Sequence, residues 1–251
     1  MRYFIELAYN GAPFHGWQVQ PEQYTVQGTL ETAMSHLLKQ QISVVGCGRT
    51  DTGVHARQFF AHFEINEQMN KSDLQNLIFH LNSFLPKEIV IFNIYPVDVE
   101  THARYSAISR TYKYYVSLIK NPFNQEYSYR FYHHLDIDKM NEAASKLLIT
   151  EDFTSFSKLH TQVNNNRCRV QVANWEVVEQ QLVFTITADR FLRNMVRAIV
   201  GTLLQVGCGR ISLMEFQEII DKKDRCSAGD SVPAHALFLH QVQYGDSMID
   251  H

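Results

Sequence analysis

Runs in which apolar and polar residues alternate follow one another along this chain, broken by single helical stretches and never by a regular strand–helix–strand repeat. No other feature constrains the fold as much, because a parallel sheet needs a long crossover between neighbouring strands. Residues 2–9, 42–45, 59–65, 89–95 and 110–119 read as strands, and 236–244 closes the chain as another. Residues 169–178 and 181–188 are separated by so short a polar turn that they should form a hairpin. The expected class is α+β with mostly antiparallel sheet, built as two similar halves, residues 1–105 and 106–251. Helices packed on one side and an active-site cleft between the halves complete that expectation. No Pro- or Ser-rich linker interrupts the chain near residue 105, which predicts tight packing of the two halves.

The helical stretches show a period of 3.6. Val26, Leu30, Ala33, Met34, Leu37 and Leu38 share one face, with Thr25 as N-cap. Ser72-Asp-Leu-Gln75 has the pattern of a capping box, and Pro86 ends the helix it opens. A third helix is expected to be capped near Asp138, and Ser212-Leu-Met-Glu215 opens another. Between them, residues 191–206 carry a wide apolar stripe, with Gly207 as C-cap. On this reading Arg190, Arg193 and Arg197 fall at spacings of three and four on one helical face, with Arg197 deep inside an apolar helix where it would want an anionic partner.

Composition narrows the function. With 251 residues, 45% of them apolar and 12% aromatic, the chain can fill a core and is neither disordered nor low in complexity. No apolar run approaches the roughly 20 residues of a membrane span, and the first residues lack the order of a signal peptide, so a soluble cytoplasmic protein is expected. Cys47, Cys168, Cys208 and Cys226 lie far apart, as free thiols do, and the 12 histidines fall into no metal-binding pattern, so no metal is expected. A net charge of −3 disfavours a non-specific nucleic-acid binder. The cations are nonetheless clustered: the acid-free stretches 101–125, 153–175 and 190–214 hold four, three and four of the 23 Lys and Arg, enough for a basic cleft if they converge.

The densest chemical signal is Gly48-Arg-Thr-Asp-Thr-Gly-Val-His55, a polar turn in which glycines bracket a carboxylate. Such a loop either pushes Asp51 into a cleft as nucleophile or base, or lets it cap its own turn. Arg49, two residues away, can share a face with Asp51 and keep it ionised. Gly46-Cys-Gly48 lacks the third glycine and following helix of a dinucleotide fingerprint, and no facing second acid is framed for glycoside hydrolysis. Arg110-Thr-Tyr-Lys-Tyr-Tyr115 would place Arg110, Tyr112 and Tyr114 on one strand face, suited either to stacking a base or to packing at the edge of the core.

These blocks together resemble the TruA family of tRNA pseudouridine synthases. The match runs in order over nearly the whole chain: Tyr9-Asn-Gly11, Phe14-His-Gly-Trp-Gln18, the 48–55 loop, His102-Ala-Arg-Tyr-Ser-Ala107, Arg110-Thr-Tyr-Lys-Tyr114, Glu151-Asp-Phe-Thr-Ser-Phe156, residues 191–201 around Met195-Val-Arg197, and 234–239. The resemblance implies that Asp51 is the catalytic aspartate and that Arg197 pairs with it. It implies that Tyr112 contacts the target base, that Leu237 lines the uracil pocket, and that Arg49 helps to flip the nucleotide. It further implies a homodimer without metal or organic cofactor that isomerises uridines 38, 39 and 40 in the anticodon stem-loop of tRNA. Two departures are Ala236, where the family usually has glycine, and Arg193-Asn194, where histidines are frequent.

Pseudouridine formation detaches uracil from C1′ through N1 and rejoins it through C5. Asp51 would attack C1′ or remove the C2′ proton, and the residues leave both routes open. Two other readings stand beside the isomerase: a non-catalytic RNA-binding module, and a carboxylate-dependent nucleoside or glycoside hydrolase.

Overall fold

The computed structural model describes residues 1–158 and 165–245; positions 159–164, inside the second acid-free stretch, and 246–251 lie outside the described residues. Nine strands and five α-helices are present among the described residues, in the order β1 (Arg2–Tyr9), α1 (Val26–Leu38), β2 (Val45–Gly46), β3 (His55–Glu64), α2 (Lys71–Phe84), β4 (Ile89–Val97), β5 (Ser109–Ser117), β6 (Tyr129–Arg130), α3 (Ile137–Ser145), β7 (Val170–Val178), β8 (Gln181–Ala188), α4 (Met195–Gly207), α5 (Leu213–Lys222) and β9 (Leu237–Gln243). The class is α+β and the strand pairing mostly antiparallel, while β5 and β6 form a parallel pair. The chain divides into two compact units, one of residues Met1–Ile108 with Leu239–His251 and one of Ser109–Phe238.

In the first unit the strands run in the order β4-β1-β3-β9, with β2 on β3. β1 lies antiparallel to both β3 and β4, with Phe4 opposite His62 on one side and Tyr95 on the other. A strand with neighbours on both edges buries its centre, and Tyr3, Phe4 and Ile5 are fully buried in succession, while Arg2, Glu6 and Ala8 alternate as half-buried positions. The Thr25 hydroxyl caps α1 by accepting the Gly28 N–H. The capping box of α2 lies two residues earlier than the sequence suggests: Asn70 and Asp73 each accept the other's backbone N–H. Asn82 on α2 then clamps the N–H and carbonyl of Ile91 on β4.

Residues 42–45 form much less strand than expected. Side chains of α1 have taken their backbone groups: Ser35 Oγ accepts the Ile42 N–H, Glu31 accepts the Val44 N–H, and Gln27 donates to the Val44 carbonyl. Only β2 remains to ladder with His62 and Ala61.

In the second unit β5-β8-β7 form an antiparallel core, and β7 and β8 are the expected hairpin, closing at Val178 opposite Gln181. α3 packs on β7 and α4. Its N-cap is Asp136, whose carboxylate accepts the Lys139 N–H, two residues before Asp138. Ser212 and Glu215 form the expected capping box of α5.

α4 departs most from the sequence reading. It starts at Met195 because Asn194 adopts a left-handed conformation, φ 66°, which a continuing α-helix cannot include. Arg190 and Arg193 therefore precede the helix, and the three arginines do not share a helical face. Gly207 is the last helical residue and not a left-handed cap; a Cβ there would come within 2.5 Å of Met140 Sδ, so its glycine permits close packing of α3. The positive φ belongs to Gly209, at 68°.

Candidate active site

Asp51 is half-buried on a loop that the preceding loop of the same unit holds in place. Tyr9, at the end of β1, hydrogen-bonds through its hydroxyl to Thr50 Oγ1 at 2.9 Å in a buried contact. The Trp17 N–H donates to the Thr50 carbonyl at 3.2 Å, and the Val54 N–H turns back to the Asp51 carbonyl at 3.1 Å. His55, buried at the start of β3, accepts the Gly11 N–H on Nδ1 at 3.0 Å. An amide N–H only donates, so this ring is unprotonated at Nδ1. The two loops lie too close for side chains at two of their glycines: a Cβ on Gly11 would meet the Val54 oxygen at 1.9 Å, and one on Gly16, φ +85°, the Thr50 oxygen at 2.5 Å. Residues 10–17, which the sequence alone leaves open as functional or as a simple surface crossing, are the seat of the carboxylate loop.

Arg49 is exposed and makes no ion pair among the described residues. Its guanidinium is thus open to an incoming polyanion, and the shared face with Asp51 drawn from the sequence is not an Arg49–Asp51 contact.

In the second unit Tyr114, Arg197 and the segment ahead of Leu237 share one neighbourhood, and Tyr112 lies two residues before Tyr114 on the same strand. Tyr112 is partly exposed on β5 opposite Ile186, with the edge of its ring against Phe191 at 4.9 Å between centroids. Tyr114 is fully buried and donates its hydroxyl to the Pro233 carbonyl at 2.9 Å. Burial pushes its phenol well above the ordinary value, the neighbouring Tyr129 adds to this, and the Arg197 charge opposes it. Arg197 donates Nε to the adjacent Val232 carbonyl at 2.7 Å. It stands in the first turn of α4, which carries no acid and whose N-cap side chain makes no capping bond. A cation beside the positive end of a helix dipole is electrostatically unfavourable, so this corner attracts an anion.

Leu237 begins β9 and is 5% exposed; it follows a one-turn 3-10 helix, Ala234–Ala236. Ala236 is fully buried in that turn without a positive φ, so the position does not demand a glycine. Residues 230–233 also line a cavity of about 180 Å³ together with Tyr129, Phe131 and Arg210. Among the described residues no three His, Cys, Asp or Glu side chains cluster as metal ligands do.

A family model described as tRNA pseudouridine synthase matches residues 143–245. Similar over nearly the whole chain are proteins called tRNA pseudouridine synthase A. That of Parabacteroides distasonis is 53% identical over 98% of this chain and 97% of its own length. Those of Bacteroides fragilis and Bacillus subtilis are 48% identical over 99% of this chain and 39% identical over 97%, covering 98% and 99% of their own lengths. At such identity and mutual coverage, this chain belongs to the tRNA pseudouridine synthase A family.

Proposed function

We propose that the protein isomerises uridine to pseudouridine at positions 38, 39 and 40 of the tRNA anticodon stem-loop, with the Asp51 carboxylate acting at the ribose. The observation that carries this reading is the 53% identity to a tRNA pseudouridine synthase A over 98% of the chain. The chain's own geometry supports it, because a half-buried aspartate on a loop pinned at both flanks is built to hold one carboxylate still.

The target uridine must leave its stack, at a cost of a few kcal/mol, lowest near loop ends. Exposed Arg49 neutralises backbone phosphate during extrusion, and the partly exposed ring of Tyr112 receives the base. The N1–C1′ bond then breaks with Asp51 acting at C1′ or C2′. Uracil rotates, C5 bonds to C1′, and the C5 proton is lost while N1 ends protonated, so the product has the composition of the substrate. Arg197 serves as the counter-charge that keeps Asp51 anionic and aimed. Leu237 forms part of the dry wall against which detached uracil turns. The enzyme works as a cytoplasmic homodimer without a cofactor, and sedimentation of the purified protein at twice the chain mass checks the dimer.

The decisive experiment incubates the protein with an unmodified tRNA transcript and maps pseudouridine by carbodiimide-dependent reverse-transcription stops. Stops at 38, 39 and 40 are expected. Asp51→Asn should lower the rate by on the order of 10³-fold or more while leaving tRNA affinity near wild type. Free uracil would instead identify a hydrolase, and binding without either product an RNA-binding module.

A further inference from the structure

Arg197 is hydrogen-bonded to a segment without helix or strand. Its Nε donates to the Val232 carbonyl at 2.7 Å and its own carbonyl accepts the Val232 N–H at 3.2 Å, so fixing Val232 fixes the guanidinium plane. Residues 229–233 belong to no regular element, and something else must hold them.

The holder is Arg225, on the 3-10 turn Arg225–Ser227. Its Nη1 donates to the carbonyls of Gly229 at 3.2 Å and Ala228 at 3.5 Å, and its Nη2 to Ser231 Oγ at 3.0 Å. The same hydroxyl oxygen accepts from Asn194, the residue whose left-handed turn starts α4. Below the segment, Thr202 Oγ1 accepts the Gly229 N–H at 3.0 Å, and the absent side chain of Gly201 lets the Asp230 carbonyl approach to 1.9 Å of where a Cβ would stand. Arg225 has no carboxylate within 4 Å among the described residues. An arginine that directs its fork at three neutral oxygens of one loop is shaping that loop and not balancing a charge.

We propose that Arg225 is a positioning residue for the pseudouridine reaction: by clamping residues 228–231 it sets the Val232 carbonyl that aims Arg197. The proposal rests on the reading that Arg197 steers the Asp51 carboxylate. Loss of the clamp leaves Arg197 present but misdirected, and a small misplacement at a reacting centre costs on the order of 10²-fold in rate.

Single-turnover rates and tRNA Kd of wild type, Arg225→Met, Arg225→Lys, Arg197→Met and the double methionine variant test this. Arg225→Met should slow the chemical step by on the order of 10²-fold with tRNA Kd unchanged. Arg225→Lys should recover part of the rate, as an ammonium reaches some of the same oxygens without the fork. The double variant should be no slower than Arg197→Met, since both act through one guanidinium. A wild-type rate for Arg225→Met beside an impaired Arg197→Met overturns the clamp alone, and so do losses that multiply in the double variant. A wild-type rate for Arg197→Met overturns the reading of Arg197 and removes the clamp's purpose with it. Should Arg225→Met not fold, Ser231→Ala and Arg225→Lys carry the test: both are expected to be slowed, and wild-type rates for both overturn the proposal.

Discussion

Gly11 shows how a residue without a side chain seats the loop of one proposed to act at the ribose. Its backbone lies against Val54 so closely that any Cβ would overlap the Val54 oxygen, and its N–H is the donor received by His55. Both contacts fall within four residues of Asp51. Gly11→Ala must push the two loops apart, and overpacking of this kind costs about 1–3 kcal/mol. Thermal unfolding should show that loss, and the rate of pseudouridine formation should fall further than stability does, because the displaced loop carries the carboxylate. A variant with lowered Tm and a wild-type rate would separate the 10–17 loop from the chemistry. Sequence marked Asp51 through its bracketing glycines, whereas Tyr9, Gly11, Trp17 and His55 reveal their part only through contacts between segments some 40 residues apart, which no local pattern encodes.

At the scale of elements, the stretch after β4 is tied to β3 by paired histidines. His62 Nδ1 accepts the Ala103 N–H at 3.1 Å, and His102 Nδ1 accepts those of Arg104 and Tyr105 at 3.0 and 3.3 Å. Protonation at Nδ1 abolishes each acceptor. Burial, with the charges of His102 and Arg2 adding to it, lowers His62 to about 4, while Glu64 opposes the shift; His102 is lowered by burial, Arg2 and Arg104. Because the folded value of His62 lies below the ordinary 6.5, the unfolded chain binds the extra proton first. Its contribution to stability is therefore complete above pH 6.5 and is lost progressively as pH falls toward about 4. Tm measured across that window should drop, and His62→Asn, which keeps an acceptor that does not titrate, should flatten the drop. An equally steep decline in His62→Asn would place the pH sensitivity elsewhere. The same scale shows what a sequence period conveys. Alternation located β1, β4, β5, β8 and β9, because their side chains divide between two faces. It over-extended the strand at 42–45, where Glu31 and Gln27 capture the backbone, and it carried α4 back through Arg190 and Arg193. The apolar stripe there continues past the left-handed turn at Asn194, and a period counts side chains without sensing a backbone that has stopped being helical.

For the whole molecule, the issue is how a chain of net charge −3 holds a polyanion. Net charge governs long-range approach, but affinity for RNA depends on how many phosphates are neutralised where the two molecules meet. The acid-free stretches supply cations with no carboxylate nearby in sequence, among them the exposed Arg167 and Arg169 beside β7. Lys71 and Lys87, equally exposed, lie in stretches that also carry Glu67, Asp73 and Glu88. If the clustering serves tRNA, position matters more than the total. Arg167→Glu with Arg169→Glu and Lys71→Glu with Lys87→Glu change the net charge equally, yet only the first pair should weaken tRNA binding substantially. It should also flatten the dependence of log Kd on log salt, by about one unit for each phosphate left without its cation. Binding titrations at several salt concentrations decide the matter. Equal weakening by both pairs would mean that tRNA responds to overall charge, and that the acid-free stretches are no more than solvated surface.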